Sequence, residues 1–145
     1  MVDTLRDETI IRVPLDTYYY KRSNQTINSM KQGFSWYAFE ACYGEDVYGP
    51  IVSTWSPRYP LKLLNISTIA ARHKAGISDR DGGCDEQYDG DMFNLKLHKR
   101  LLPYLLKNNL HGTIIREEWA DGACMGPEEV VIYNNPDKRS PLRRR

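Results

Sequence analysis

The chain has little net charge and no long apolar segment. Its 145 residues include 20 Lys and Arg against 19 Asp and Glu, a net charge of +1. A protein that coats nucleic acid needs clustered cations to neutralise phosphates, so this balance argues against that class. The apolar runs fall far short of the ~20 residues of a membrane-spanning helix, and the N-terminus lacks the basic-then-apolar pattern of a signal peptide. We therefore expect a cytoplasmic protein with no membrane partner.

Cysteine and phenylalanine are also scarce. The three cysteines, Cys42, Cys84 and Cys124, form no CxxC pair and are typical of reduced thiols. None belongs to a recognisable protease motif, which excludes thiol catalysis of that kind. Ten Tyr and three Trp stand against three Phe, so most aromatic rings carry a polar atom. Such rings stack on planar ligands, although half-buried sheet faces account for most of them.

The acidic segment 78–91 is the place to look for a metal site. An EF-hand loop that starts at Asp79 needs glycine at its sixth position and glutamate at its twelfth. The chain has Cys84 and Gly90 there, so the pattern fails. His73 and His98 lack metal-ligand spacing and are expected at the surface. We predict no metal.

Secondary structure is read from periodicity and turn residues. The length favours one domain, residues 1–137, followed by a solvated basic tail, 138–145. Strands are predicted at 9–14, 51–55 and 61–66, and a turn with a strand at 110–116. Another strand is opened by Glu128 and Glu129 and ended by Asn134-Asn135-Pro136, and 34–37 is predicted as an aromatic turn or short strand. The strands at 51–55 and 61–66 are expected to be a hairpin or an adjacent pair. Helices are predicted at 38–43, where Gly44 ends the segment, and at 91–109, where Pro103 should kink or divide it. Residues 23–32 fit a short helix or an ordered loop.

Strands and helices mix without strict alternation, so the fold class is α+β.

Two glutamates open the strand near the C-terminus. Glu128 and Glu129 follow a Gly-Pro turn and precede a run of β-branched residues that ends at Asn-Asn-Pro. Side chains alternate along a strand, so only one of the two faces any given cleft. At least one of the two glutamates is therefore held rigidly at the edge of whatever lies above the strand.

The order of several short motifs carries more information than any one of them. Arg12 lies in the first strand, and an aromatic pattern follows with Trp36, Tyr37, Ala41, Tyr43 and Gly44. The segment Pro60-Leu61-Lys62-Leu63-Leu64, the long helix, His111-Gly112-Thr113 and the Glu129 strand come next. Over residues 9–136 this order resembles the ADP-ribosyltransferase fold, a superfamily that includes toxin-like enzymes and poly(ADP-ribose) polymerase catalytic domains.

The resemblance implies a compact mixed fold with a split β-sheet core, and NAD as the substrate. Arg12 would orient the NAD and take part in catalysis. Glu129 would be the catalytic carboxylate, because the resembling strands start at the glutamate directly before the apolar run, and Glu128 would be solvated. Ser35, Trp36, Tyr37 and Tyr43 would contact the bound NAD. Cleavage of the nicotinamide–ribose bond passes through an oxocarbenium-like state, which a carboxylate stabilises. Arginine and aromatic faces suit phosphate and pyridinium groups.

The acceptor and the outcome of the reaction stay open. Arginine-modifying members carry a glutamate or glutamine two residues before the catalytic glutamate, whereas this chain has Pro127 there. The acceptor is therefore an unidentified macromolecule, or water in an NAD glycohydrolase. A second alternative is an inactive nucleotide- or protein-binding module of the same fold. Nucleic-acid binding through the aromatics and the basic tail is a weaker third alternative.

Overall fold

A computed structural model describes residues 4–76, 95–116 and 129–145. The strands are β1 (Ile10–Val13), β2 (Tyr19–Ser23), β3 (Gly33–Ala38), β4 (Ile51–Pro57), β5 (Leu61–Asn65), β6 (Gly112–Ile115), β7 (Glu129–Asn134) and β8 (Leu142–Arg144). The helices are α1 (Glu45–Tyr48), α2 (Ile69–Lys74) and α3 (Leu95–Lys107), and a 3-10 turn spans Thr4–Asp7. The predicted α+β class is confirmed at this level.

All eight strands belong to one sheet, in the order β1-β5-β6-β7-β3-β2-β4-β8. Among the described pairs only β5 and β6 run parallel, and the connection between them contains both α2 and α3. The central strand β7 lies between β6 and β3 and pairs antiparallel with each. Strands that are distant in sequence thus meet at the middle of the sheet.

Each face of the sheet buries its own cluster of side chains. The first face, called the inner face here, contributes residues from every strand, from Ile11 on β1 to Leu142 on β8. No residue of the described helices belongs to that cluster, so the sheet curls and covers its own inner face. On the opposite face, called the helical face, Leu97, Leu101 and Leu105 of α3 pack against β5, β6 and β7.

Two of the predicted elements are corrected by the structure. Residues 38–43 do not form a helix, because β3 continues to Ala38 and the chain then turns. Gly44 precedes helix α1 instead of ending a helix, and its left-handed φ of 79° redirects the chain there. β4 and β5 do not pair with each other. β4 lies between β2 and β8, whereas β5 lies between β1 and β6.

Two further elements differ from the sequence prediction. β2 was not predicted, and it occupies the end of the Tyr18-Tyr19-Tyr20 run. Helix α3 runs without a break through Pro103. Pro103 is exposed, so the carbonyl that loses its intrahelical partner is free to bond water at the solvent side.

The segment predicted as a solvated basic tail contributes to the core. β8 pairs with β4, and Leu142 is 1% exposed within the inner-face cluster. The amide of Arg58 donates to Pro141, and the Arg144 guanidinium donates to the carbonyl of Ile27. Side chains alternate along a strand, so Leu142 and the half-buried Arg144 lie on one face of this edge strand and the exposed Arg143 lies on the other.

None of the helices in the described ranges is both long enough and apolar enough to cross a membrane.

Candidate active site

Glu129 is the first residue of β7 and is held by the strand that follows it. Val130, Val131 and Ile132 are each 0% exposed, which fixes the strand between its neighbours. Glu129 pairs with Ala38 of β3 on one side and with Ile115 of β6 on the other. Its side chain alternates with Val130 and therefore lies on the helical face, where the residue is half-buried. The sequence prediction of a rigidly placed carboxylate at the mouth of this strand matches this position.

Tyr43 is a direct partner of the Glu129 carboxylate. Its hydroxyl donates a hydrogen bond to Glu129 and shares another with Tyr48. Burial, and next the negative charge of Glu129, raise the pKa of Tyr43 well above its ordinary value. The phenol therefore stays protonated at neutral pH and remains a donor to the carboxylate. The ring centroids of Tyr43 and Tyr48 lie 6.3 Å apart, so the two rings are neighbours.

Arg22 of β2 fixes the segment that carries Tyr43. Its Nε donates to the carbonyl of Ala41 at 2.6 Å, and Nη1 donates to the carbonyl of Pro50 at 2.9 Å. One guanidinium thereby joins the turn before α1 to Pro50, two residues after the helix ends. The planar fork of arginine suits such a double contact, which a lysine does not reproduce. Sequence reasoning missed this role because β2 itself was not predicted.

Lys21 lies beside the short pairing between β2 and β3. β2 and β3 share one register pair, Tyr20 with Ala38, whereas β2 and β4 share five. Beyond that pair the Lys21 Nζ donates to the carbonyl of Trp36 at 2.9 Å, and it lies 5.1 Å from the centroid of the Tyr37 ring. Burial, and secondarily Lys31, lower the pKa of Lys21, and the Glu129 carboxylate acts in the opposite direction. The Glu129 carboxylate therefore favours the charged form of Lys21.

The three predicted NAD contacts on β3 are divided between the two faces. Ser35 and Tyr37 lie on the inner face, 7% and 2% exposed, and their side chains are hydrogen-bonded to each other. Trp36 lies on the helical face with Glu129, half-buried beside the apolar cluster under α3. Its partner Val131 is two residues from Glu129 on the same face. Trp36 and Tyr43 are thus near Glu129, whereas Ser35 and Tyr37 are core residues on the opposite side of the sheet.

Arg12 is not brought to Glu129. It is exposed on the edge strand β1, three strand spacings from β7, or about 14 Å across the sheet. The register through Lys62 and His111 aligns it with Tyr133, about 13 Å along β7 from Glu129. Helix α3 covers the helical face between them. The two residues predicted to act together therefore lie in separate parts of the molecule.

His98 is buried, which corrects the expectation that it lies at the surface. It is 0% exposed, and its Nε2 lies 2.7 Å from the Thr113 hydroxyl. The rings of Phe34 and Trp36 pack against it at 5.4 Å and 6.2 Å. His98 thus supports the cluster behind Trp36. His73 is exposed, as predicted.

Some predictions fall outside the described residues. Glu128, Cys84, Cys124 and the acidic segment 78–91 belong to this group, so the choice between the two glutamates rests on the position of Glu129 alone. Within the described residues, no three His, Cys, Asp or Glu side chains are grouped so that they could hold a metal ion.

Comparison of the chain with protein-family models, with curated proteins and with solved structures found no match.

Proposed function

We propose that this protein cleaves the nicotinamide–ribose bond of NAD and transfers ADP-ribose to an acceptor, with Glu129 as the catalytic carboxylate. The observation that carries the proposal is the pairing of β3 with β7. It joins the aromatic motif around Trp36 to the glutamate strand, two segments separated by about ninety residues that the resemblance requires to converge.

The chemistry asks for a carboxylate that stays ionised beside the ribose. When the glycosidic bond breaks, the electron pair leaves with nicotinamide, and positive charge develops on the ribose ring. The Glu129 carboxylate stabilises that charge by accepting hydrogen bonds from ribose hydroxyls. The acceptor nucleophile then attacks the ribose carbon and loses its proton. Tyr43 and Lys21 both favour the ionised form of Glu129, since one donates a hydrogen bond to it and the other is a nearby cation.

Positive charge for the phosphates of NAD is available near Glu129 without Arg12. Lys21 is one such cation. Arg116 follows Ile115, the β6 partner of Glu129, but its guanidinium lies 5.5 Å from the centroid of the Phe39 ring and acts on Tyr19 of the inner face. In this arrangement Trp36 and Tyr43 supply aromatic surface for the nicotinamide. A role for Arg12 is then limited to a distant part of an extended ligand.

A second candidate function is an inactive module that binds a nucleotide or a protein partner. The burial of Ser35 and Tyr37 favours it, because these two side chains are not available to line a nicotinamide site. In this case the Glu129–Tyr43 hydrogen bond is a structural contact that holds the turn before α1.

The test is incubation with labelled NAD, in which nicotinamide release and label transfer are followed separately. Glu129→Gln keeps the shape of the side chain and removes its charge, so we expect a loss of kcat of about 100-fold or more with a folded protein. Glu40→Gln is a matched control, since Glu40 is exposed in the turn after β3. Glu128→Gln tests the neighbouring carboxylate.

Each result discriminates. Release without transfer indicates a glycohydrolase, and release with transfer indicates a transferase. No turnover by the wild type, combined with saturable NAD binding, supports the inactive module. A wild type that neither turns over NAD nor binds it excludes both candidate functions. Equal loss in the Glu128 and Glu129 variants contradicts the assignment of Glu129 alone.

A further inference from the structure

A surface pocket of about 70 Å³ lies at the other end of β7 from Glu129. Most of its lining comes from four segments: the last turn of α3, the residues before β6, the end of β7 and the loop before β8. Its apolar floor comes from Leu105, Leu110 and Pro141. None of the described residues that line it is acidic, while Lys138 and Arg139 are both at its rim. Asp137 belongs to the same loop and is not among the lining residues.

The polar groups of the pocket are mainly donors. The amide of Lys62 donates to His111 Nδ1 at 3.0 Å, so in the neutral imidazole the proton is on Nε2. Asn135 Oδ1 accepts from the amide of Asp137, which leaves the NH₂ group of Asn135 as the free end of that carboxamide. The cations Lys62 and Lys138 add to the effect of burial in lowering the pKa of His111, which indicates a positive local potential.

The C-terminus of α3 does not reverse this balance. The carbonyls of Tyr104, Leu105 and Leu106 accept hydrogen bonds from the amides of Asn108, Leu110 and Asn109 respectively. These carbonyls form the negative end of the helix dipole, and backbone amides of the following turn already satisfy them. Their effect on a ligand in the pocket is therefore reduced. The pocket walls are also fixed, since the Tyr59 and His111 rings pack at 5.3 Å and the Tyr59 hydroxyl donates to the carbonyl of Arg139.

We infer that this pocket binds a phosphate group, either as inorganic phosphate or as the phosphate of a phosphorylated small molecule. A phosphate offers only acceptor oxygens, and the pocket offers donors to them. These donors are two cations, an imidazole N–H and a carboxamide NH₂, and no described lining residue is acidic. The site is separate from Glu129 and does not depend on the proposed reaction with NAD.

The experiment is isothermal titration of the full chain at 0.15 M salt with inorganic phosphate, 5′-AMP and adenosine. We expect phosphate and 5′-AMP to bind and adenosine not to bind. Tighter binding of 5′-AMP than of phosphate identifies a phosphorylated nucleoside as the better ligand, and equal binding identifies phosphate alone. Both results support the site.

The double variant Lys138→Gln with Arg139→Gln should weaken phosphate binding about tenfold or more, because charge-assisted hydrogen bonds are lost. Its matched control is Lys107→Gln with Arg143→Gln, which removes the same charge from two exposed positions that do not line the pocket. Glu129→Gln should bind phosphate as the wild type does. No binding by the wild type, equal binding of adenosine and 5′-AMP, or equal loss in the control variant would overturn the inference.

Discussion

Tyr19 shows what a single buried phenol contributes to this molecule. The side chain is 0% exposed on the inner face, and its ring contacts Phe39 edge to face at 5.5 Å. Its hydroxyl has no hydrogen-bond partner within the described residues. Burial raises the pKa of Tyr19 well above its ordinary value, and the Arg116 cation opposes that effect. The ring stabilises the core, while no described residue compensates the hydroxyl for its loss of water.

Tyr19→Phe should therefore stabilise the protein at pH 7, by about 1 kcal/mol, because it removes an unpaired polar group and keeps the ring. Urea unfolding measures the change, and Tyr20→Phe, on the same strand but half-buried, should shift the free energy of unfolding by less than about 0.5 kcal/mol. A loss of stability in Tyr19→Phe contradicts the proposed unpaired hydroxyl.

The same tyrosine predicts a pH dependence. Because the pKa of Tyr19 is raised in the folded protein, its contribution is fully present below the unfolded value of 10.0 and is lost as pH rises above it. Between pH 10 and 11 the wild type should lose about 1 kcal/mol through this one group, which Tyr19→Phe should not lose. The advantage of the variant should thus grow over that interval, and an advantage that stays constant contradicts the prediction.

Local sequence signals located Glu129 but not its surroundings. A carboxylate at the start of a β-branched strand can be predicted from side-chain alternation and from the turn residues before it. The distance of Arg12 and the inward direction of Ser35 and Tyr37 depend on strand order and register, which pairings distant in sequence determine. His98 was misplaced for the same reason, since only the packing of α3 on the sheet buries it.

At the scale of the elements, the junction of β6 and β7 is the most tightly packed backbone contact near the site. Gly112 begins β6 with a φ of 158°, and a Cβ there would overlap the carbonyl oxygen of Val131. The obstacle is backbone of the central strand and not a flexible side chain, so β7 itself would have to move.

Gly112→Ala should lower the free energy of unfolding by about 2 to 4 kcal/mol, and it should also displace Glu129, three residues along β7 from the Gly112 partner Ile132. Gly76→Ala is the control. Gly76 has a left-handed φ of 77° but open space at its Cβ, so only about 1 kcal/mol is expected. Similar losses in both variants, by urea unfolding, would show that the backbone contact is not decisive.

The elements that the sequence predicts best are those whose apolar residues follow a clear helical or strand pattern. α3 and β7 were predicted nearly as they occur. β2 was not predicted because its two tyrosines, followed by two cations, show no apolar alternation, although aromatic residues favour strands. The segment 38–43 misled because alanines favour helix locally, whereas pairing of β3 with β7 extends the strand to Ala38.

For the whole molecule, the last residues close the inner-face cluster. Deletion of 142–145 removes β8 and uncovers Trp55, its partner strand residue, which is 1% exposed. We expect a loss of roughly 4 kcal/mol or more in the free energy of unfolding, a large part of the stability of an ordinary domain.

Leu142→Ala isolates the buried side chain and should lose about 2 to 4 kcal/mol, whereas Leu106→Ala, 46% exposed, should lose less than about 1 kcal/mol. Unchanged urea midpoints after the deletion would instead indicate that residues 142–145 are a tail without a structural role.

The central place of β7 also has a consequence for the time at which this protein folds. β3 ends at Ala38, long before its partner β7 begins at Glu129, and β4 ends at Pro57, long before β8 begins at Leu142. Such long-range pairings are slow to form, and strands without partners are prone to associate with other chains. The nascent protein should therefore lack its complete sheet until β8 has been synthesised, which makes the interval before that point the one in which it most needs protection from aggregation.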